Sequence, residues 1–199
     1  MRKEVVALLL AAMTAFVFAG TLKDKRDGKV YKTVKIGGLT WMAQNLNYAV
    51  DNGYGSWCYD NDYRHCKKYG RLYTYYAAMN ACPDGWHLPS EYEWGNLFKS
   101  VGGMQNANYV LRSKDDWYYN DGDRFKFKVL PAGYYNRMDG HMYMDGRTRW
   151  EFGYLGQWAI FRTSSNGVTY YFPGPYTNVV RDDTADRNGG FSVRCVKDY

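Results

Sequence analysis

Four cysteines, Cys58, Cys66, Cys82 and Cys195, constrain this chain more than any other feature, once its destination is read from its start. Residues 1–19 have the pattern of an export signal. Arg2 and Lys3 precede an apolar run from Val5 to Ala19 that is short for a membrane span and ends in Val17-Phe18-Ala19. Cleavage is expected after Ala19, with no cysteine following to take a lipid. An uncleaved membrane anchor is the alternative, because the acidic Glu4 interrupts the charged region. In an exported chain, four cysteines imply two disulfides. A bridge between Cys58 and Cys66 would staple the short polar segment between them. Cys82 and Cys195 would then close a long loop, for which chain entropy gives about 4.7 kcal/mol at ~100 residues. Three pairings are open at this point.

Residues 20–199 are enough for one domain with its own core. The formal charge is +6. Residues 1–19 contain Arg2, Lys3 and Glu4, a net +1, so the mature chain carries +5. In an exported protein such a balance favours acidic surfaces or polyanionic glycans over nucleic acid.

Residues 20–29 are charged and expected to be a flexible N-terminal segment. Val30 to Ile36 then alternates as a strand, with Val30, Val34 and Ile36 on one face. Gly37-Gly38 supplies a tight turn, and Leu39 to Met42 returns. The stretch from Gly53 to Gly70 reads as an irregular loop and Tyr73 to Cys82 as a helix. A second helix opens at Ser90, where Ser90 and Glu93 form a capping box, and Gly102-Gly103 close it. Its apolar residues Trp94, Leu97, Phe98 and Val101 recur at i, i+3, i+4 and i+7 and predict a core-facing stripe. Beyond Gly103 no long helical period is visible. Short runs broken by turn signals include a predicted strand from His141 to Met144. At the C-terminus Phe191, Val193 and Cys195 share one buried face of a last strand.

Aromatic residues make up 19% of the chain, led by 21 Tyr, and this is more than a core of this size needs. Rigid amphipathic rings suit recognition surfaces. Trp117, Tyr118, Tyr119, Tyr135, Trp150 and Tyr154 are the candidate ligand contacts, on long loops in the second half; core packing is the competing reading for each. Trp117 follows Lys114-Asp115-Asp116 and Trp150 follows Arg147-Thr148-Arg149, which argues for exposure.

In order along the chain, Gly28-Lys29-Val30-Tyr31-Lys32-Thr33-Val34-Lys35-Ile36-Gly37, Thr40-Trp41-Met42-Ala43-Gln44-Asn45-Leu46-Asn47-Tyr48 and Tyr69-Gly70-Arg71-Leu72-Tyr73-Thr74 lead to Cys82-Pro83-Asp84-Gly85-Trp86-His87-Leu88-Pro89-Ser90. Leu130-Pro131-Ala132-Gly133-Tyr134 and Phe191-Ser192-Val193-Arg194-Cys195-Val196-Lys197-Asp198 complete the series. With these motifs residues 30–199 resemble the Fibrobacter succinogenes major paralogous domain, a family of exported and surface proteins whose biochemical role is mostly unassigned. The resemblance implies an α+β, C-type-lectin-like fold, related to the formylglycine-generating-enzyme superfold. That fold has two helices, small antiparallel sheets, a long aromatic-rich loop region and two disulfides. It also implies the pairing of Cys82 with Cys195, from the first helix to the last strand. One departure is Phe161-Arg162-Thr163-Ser164, where the family often has an aromatic at the position of Arg162.

The calcium-ligating segments of sugar-binding C-type lectins are not present in the sequence. Asp182, Asp183 and Asp186 could offer oxygens to Ca²⁺, but a solvated loop is the better reading. His65, His87 and His141 are too scattered for a zinc site, and His87 in its motif reads as structural. No Gly-x-Ser-x-Gly elbow occurs, and structural cysteines leave none for formylglycine-type chemistry. The chain is therefore expected not to be an enzyme. The expectation is a secreted or outer-surface adhesive domain that binds a polysaccharide or a cell-surface protein. A structural assembly component is the alternative.

Overall fold

The computed structural model describes residues 19–50, 55–117, 122–137, 150–174 and 177–199. In chain order the elements are β1 (Ala19–Lys23), β2 (Val30–Ile36), β3 (Leu39–Met42), β4 (Ser56–Trp57), a 3-10 turn (Tyr59–Asn61), α1 (Tyr63–Tyr69), β5 (Leu72–Tyr73), α2 (Tyr75–Met79) and β6 (Trp86–His87). They continue with α3 (Glu91–Ser100), α4 (Gly103–Val110), β7 (Ala132–Arg137), β8 (Trp150–Leu155), β9 (Ala159–Arg162), β10 (Thr169–Phe172), β11 (Val180–Asp182), β12 (Phe191–Ser192) and β13 (Val196–Lys197). The smaller sheet runs β1-β2-β3-β13-β6. The larger runs β11-β10-β9-β12-β5-β4, with the β7–β8 hairpin joined to it through β9.

Local chemistry accounts for the best-defined pieces. Gly37 and Gly38 have φ of 61° and 83°, the double left-handed turn that a two-residue hairpin requires, and Ile36 pairs with Leu39 across it. Ser90 Oγ accepts from the Glu93 amide at 3.3 Å, while Glu93 accepts from the Ser90 amide at 2.8 Å, so the capping box opens α3. Trp94, Leu97, Phe98 and Val101 are all buried, in one cluster with Trp41, Phe127 and Phe161. A second cluster gathers Tyr31, Met42, Leu46, Tyr73 and Leu88 around Cys195. Cys82 is bonded to Cys195 and Cys58 to Cys66, with no free cysteine. The protein is thus a mixed helix-and-sheet fold braced by two disulfides.

Several expectations are corrected. Residues 20–29 are not a loose tail, because β1 pairs with β2 from Ala19↔Val34 to Lys23↔Val30. The charges of the following turn pair with one another. Asp24 is buried against Arg26 at 2.7 Å, and Arg26 in turn donates to the Ala81 carbonyl at 2.8 Å. Burial opposes ionisation of Asp24, yet the Arg26 bonds hold its carboxyl below its ordinary value. Val30 is exposed, whereas Val34 and Ile36 are buried. The segment from Gly53 to Gly70, expected as an irregular loop, contains α1, capped by Asp62 through the Arg64 amide at 2.8 Å. Helix α4 follows α3 almost without a break. Gly102, with φ of 93°, reverses the chain as a helix end does, but the new helix starts at once. Four α-helices rather than two therefore occur among the described residues.

The last strand is also different. Residues 191–197 leave the larger sheet after β12 and enter the smaller sheet at β13, so both sides of the segment are covered. Phe191 through Val196 are all buried, including Ser192 and Arg194. Arg194 lies wholly inside, donating to Asn45 Oδ1 at 2.7 Å, to the Met42 carbonyl at 3.1 Å and to the carbonyls of Phe127 and Lys128. Its pKa is pushed down to about 9 by burial, partly opposed by Asp123, so it stays charged at neutral pH. Among the described residues no helix is long and apolar enough to cross a membrane.

Candidate functional site

The aromatic residues of the second half stand largely on strands, where broad rings pack well on a pleated surface. In the β7–β8 hairpin Tyr134 lies opposite Gly153, Tyr135 opposite Phe152 and Arg137 opposite Trp150. The hairpin is anchored by the Gly133↔Ala159 pairing and by a two-bond bridge between Tyr135 and Gly190. Two glycines make this possible. A Cβ on Gly133, at φ of 65°, would stand 2.3 Å from the Gly153 carbonyl oxygen, and one on Gly153 would stand 3.0 Å from the Tyr134 ring.

Strand alternation sends Tyr134 and Tyr135 to opposite sides, and the left-handed φ at Tyr154 breaks the alternation of β8 so that its ring joins Tyr134 rather than Trp150 and Phe152. On one side Tyr154 stacks on Trp158 with centroids 3.6 Å apart and planes 14° from parallel. Tyr134 lies 5.7 Å from Tyr154, and Tyr171 meets Trp158 edge-on at 4.8 Å. Tyr154 is 39% exposed and has a left-handed φ of 58°, a conformation that a bulky side chain adopts only when its surroundings enforce it. The enforcing contacts are the Gln157 and Trp158 amides, which both donate to the Tyr154 carbonyl. On the other side Tyr135 contacts Trp150 at 5.5 Å, Phe152 at 4.7 Å and Trp57 at 4.6 Å, and the row continues through Tyr59 to His65 of α1.

Burial raises the pKa of Tyr134 and Tyr171, with further upward push from neighbouring tyrosines. The phenols therefore remain neutral hydrogen-bond donors across the physiological range. A flat stacked pair with half-buried phenols beside it can cover the apolar face of a ring-shaped ligand and bond its hydroxyls.

Of the six candidates taken from the sequence, three stand on this hairpin, Tyr135 and Trp150 in contact on one side and Tyr154 on the other. Tyr118 and Tyr119 lie outside the described residues, as does the strand predicted from His141 to Met144. Trp117 is corrected. It is 5% exposed, its indole N–H donates to the Val129 carbonyl at 2.9 Å, and the Arg112 guanidinium lies 4.0 Å from its ring. Its charged predecessors face outward while the ring turns in. Trp158 and Tyr171 complete the Tyr154 side, and Trp57 the Tyr135 side. The alternation of Trp150, Phe152 and Tyr154 is the sequence signal that would have indicated a strand rather than a loop.

Other candidates have local duties. Asp182 accepts from the Thr184 amide at 2.8 Å, Asp183 pairs with Arg181 at 2.9 Å, and Asp186 accepts from the Asn188 amide at 2.8 Å. These Asp residues form no common cation site, and no group of three metal-binding side chains converges among the described residues. His87 is held by Glu93 at 2.8 Å and Asp198 at 2.6 Å, both ring nitrogens occupied, and joins α3 to the C-terminus. Arg162, at the position where an aromatic was expected, is buried over the Phe191 ring and donates to the carbonyls of Asp186 and Gly189.

No curated protein and no solved structure matches the chain. The family model described as Fibrobacter succinogenes major domain matches residues 34–197, a span that includes the capping-box helix, the aromatic hairpin and Cys195; the chain belongs to that family.

Proposed function

We propose that this is an exported, C-type-lectin-like binding domain whose β7–β8 aromatic face engages a cell-wall or plant-type polysaccharide at the bacterial surface. The observation that carries the reading is the stack of the exposed Tyr154, held in a left-handed backbone conformation, on the half-buried Trp158. Rings already ordered against each other lose little entropy on binding. The basic start followed by the apolar run from Val5 to Ala19, together with the two disulfides, supports export. A second reading, assembly with a surface protein, is supported by β8, which pairs with β7 alone and so presents an open edge among the described residues.

The test is binding of the purified protein to cellulose, xylan and peptidoglycan, with and without Ca²⁺. Tyr154→Ala with Trp158→Ala is expected to weaken binding by about thirtyfold, the loss of about 2 kcal/mol from a stacked contact. The melting temperature should move only a few degrees. Unchanged affinity in a folded double variant would remove the aromatic face from consideration. Binding of the wild type to surface proteins but to none of the glycans would favour the assembly reading.

A further inference from the structure

On another part of the molecule, β2, the 43–47 segment and α1 enclose an open cleft of about 610 Å³. Its lining holds five lysines, Lys29, Lys32, Lys67, Lys68 and Lys128, against one carboxylate, Asp116. Two of these cations are already paired, Lys68 with Asp116 at 3.1 Å and Lys29 with Asp27 at 2.6 Å. Lys32, Lys67 and Lys128 are exposed and make no ion pair with any described residue. Unpaired like charges gathered around one concavity repel each other and focus a positive potential there, which a bound anion relieves.

The walls are built rather than incidental. Lys128 has a left-handed φ of 57°, and its amide is fixed by Asp123 Oδ1 at 3.0 Å while its carbonyl accepts from the buried Arg194. The same Arg194 holds Asn45 Oδ1 at 2.7 Å, and Asn45 lines the cleft beside it. One interior guanidinium thus sets two points of the rim. Between the lysines lie neutral groups suited to a sugar. Tyr63 offers a ring that is 66% exposed, and the Asn47 side-chain amide has no partner among the described residues.

We infer that this cleft is a second binding site, separate from the aromatic face, that takes a carboxylated or sulfated saccharide chain. Lysine ammonium groups meet the acid groups, and Tyr63 and Asn47 meet ring faces and hydroxyls. The volume falls in the range that accommodates a few sugar residues. The site does not rest on the aromatic reading, and each is tested with its own ligand.

The experiment compares two triple variants of equal charge change in titrations with polygalacturonate oligomers and with dextran sulfate. Lys32→Gln/Lys67→Gln/Lys128→Gln alters the cleft, whereas Lys35→Gln/Lys99→Gln/Lys197→Gln removes three exposed cations elsewhere. The cleft triple is expected to weaken binding at least about tenfold, the control less than about threefold, and the wild-type affinity to fall steeply between about 50 and 200 mM salt. Whichever polymer binds identifies the acid group. Equal losses in the two triples would reduce the effect to general surface charge and overturn the site. Absence of wild-type binding to either polyanion would also overturn it. Binding of neutral xylan by the cleft triple, lost only in the Tyr154/Trp158 variant, would leave the aromatic reading standing on its own.

Discussion

Arginine is usually a surface residue, yet Arg162 and Arg194 are wholly buried here and donate mainly to main-chain carbonyls, Arg194 also to Asn45 Oδ1, and not to a carboxylate. Interior carbonyls that no strand can reach are satisfied in this way, at the cost of desolvating a charge. Arg194→Met would strand the Asn45 oxygen and the carbonyls of Met42, Phe127 and Lys128 together. A loss of about 3 kcal/mol or more is expected in urea denaturation; a loss under about 1 kcal/mol would mean water replaces the guanidinium. His87 provides the pH-sensitive counterpart. Its burial opposes protonation, but the Asp198 and Glu93 hydrogen bonds outweigh it and raise its pKa. The contribution is therefore complete below the unfolded value of ~6.5 and lost as pH rises through the raised folded value. Burial likewise opposes ionisation of Glu93, while Ser90 and His87 lower its pKa, so its share is lost as acid is added below the ordinary carboxylate range. The stability gap between wild type and His87→Gln should shrink when denaturation is repeated at pH 9 instead of pH 6, and a constant gap would show that His87 acts by packing alone.

At the scale of elements, α3 is the organising helix. Its stripe packs against Trp41, Phe127, Phe161, Tyr170 and Phe172, residues drawn from both sheets and the loop between them. Leu97 is 1% exposed, and Leu97→Ala is expected to cost about 2–5 kcal/mol as a buried truncation. A loss of less than about half a kcal/mol in denaturant unfolding would mean the site collapses without a cavity. The β7–β8 hairpin is the contrasting element, joined to the body by the backbone pairings at Gly133 and Tyr135 and by ring contacts to Trp57, Tyr59 and Trp158. Its rings are consequently half-buried, neither core nor free surface, and this is what makes them available as a platform.

Across the whole molecule the two disulfides act over different lengths. Cys58–Cys66 spans a separation of 8 residues, Cys82–Cys195 one of 113. Chain entropy predicts about 2.5 kcal/mol for the short ring and about 4.7 kcal/mol for the long one. Alanine pairs at Cys82 and Cys195 should therefore lower stability more than pairs at Cys58 and Cys66, as read from paired thermal and denaturant melts. The reverse order would show that local ordering around α1, not loop closure, dominates. The long bridge also ties the segment following α2 to the chain as it crosses from one sheet to the other, so its removal loosens the junction between the two cores.

What the sequence determined by itself is whatever a few neighbouring residues decide. The Gly37-Gly38 turn, the Ser90/Glu93 cap and the phase of Trp94, Leu97, Phe98 and Val101 were legible because each is a contact within one or two turns of chain. The series of motifs likewise identified the family and the cysteine pairing. Tertiary structure decided the rest. Ala19–Lys23 becomes a strand only because β2 offers an edge, and Trp117 is buried only because the Val129 carbonyl and Arg112 receive it, whatever charges precede it. The gathering of Tyr154, Trp158 and Tyr171, and of Lys32, Lys67 and Lys128, was equally out of view. The three lysines lie far apart along the chain, and even the nearer pairs, Tyr154 with Trp158 and Trp117 with Val129, meet only through burial and backbone geometry that no helical or strand period encodes.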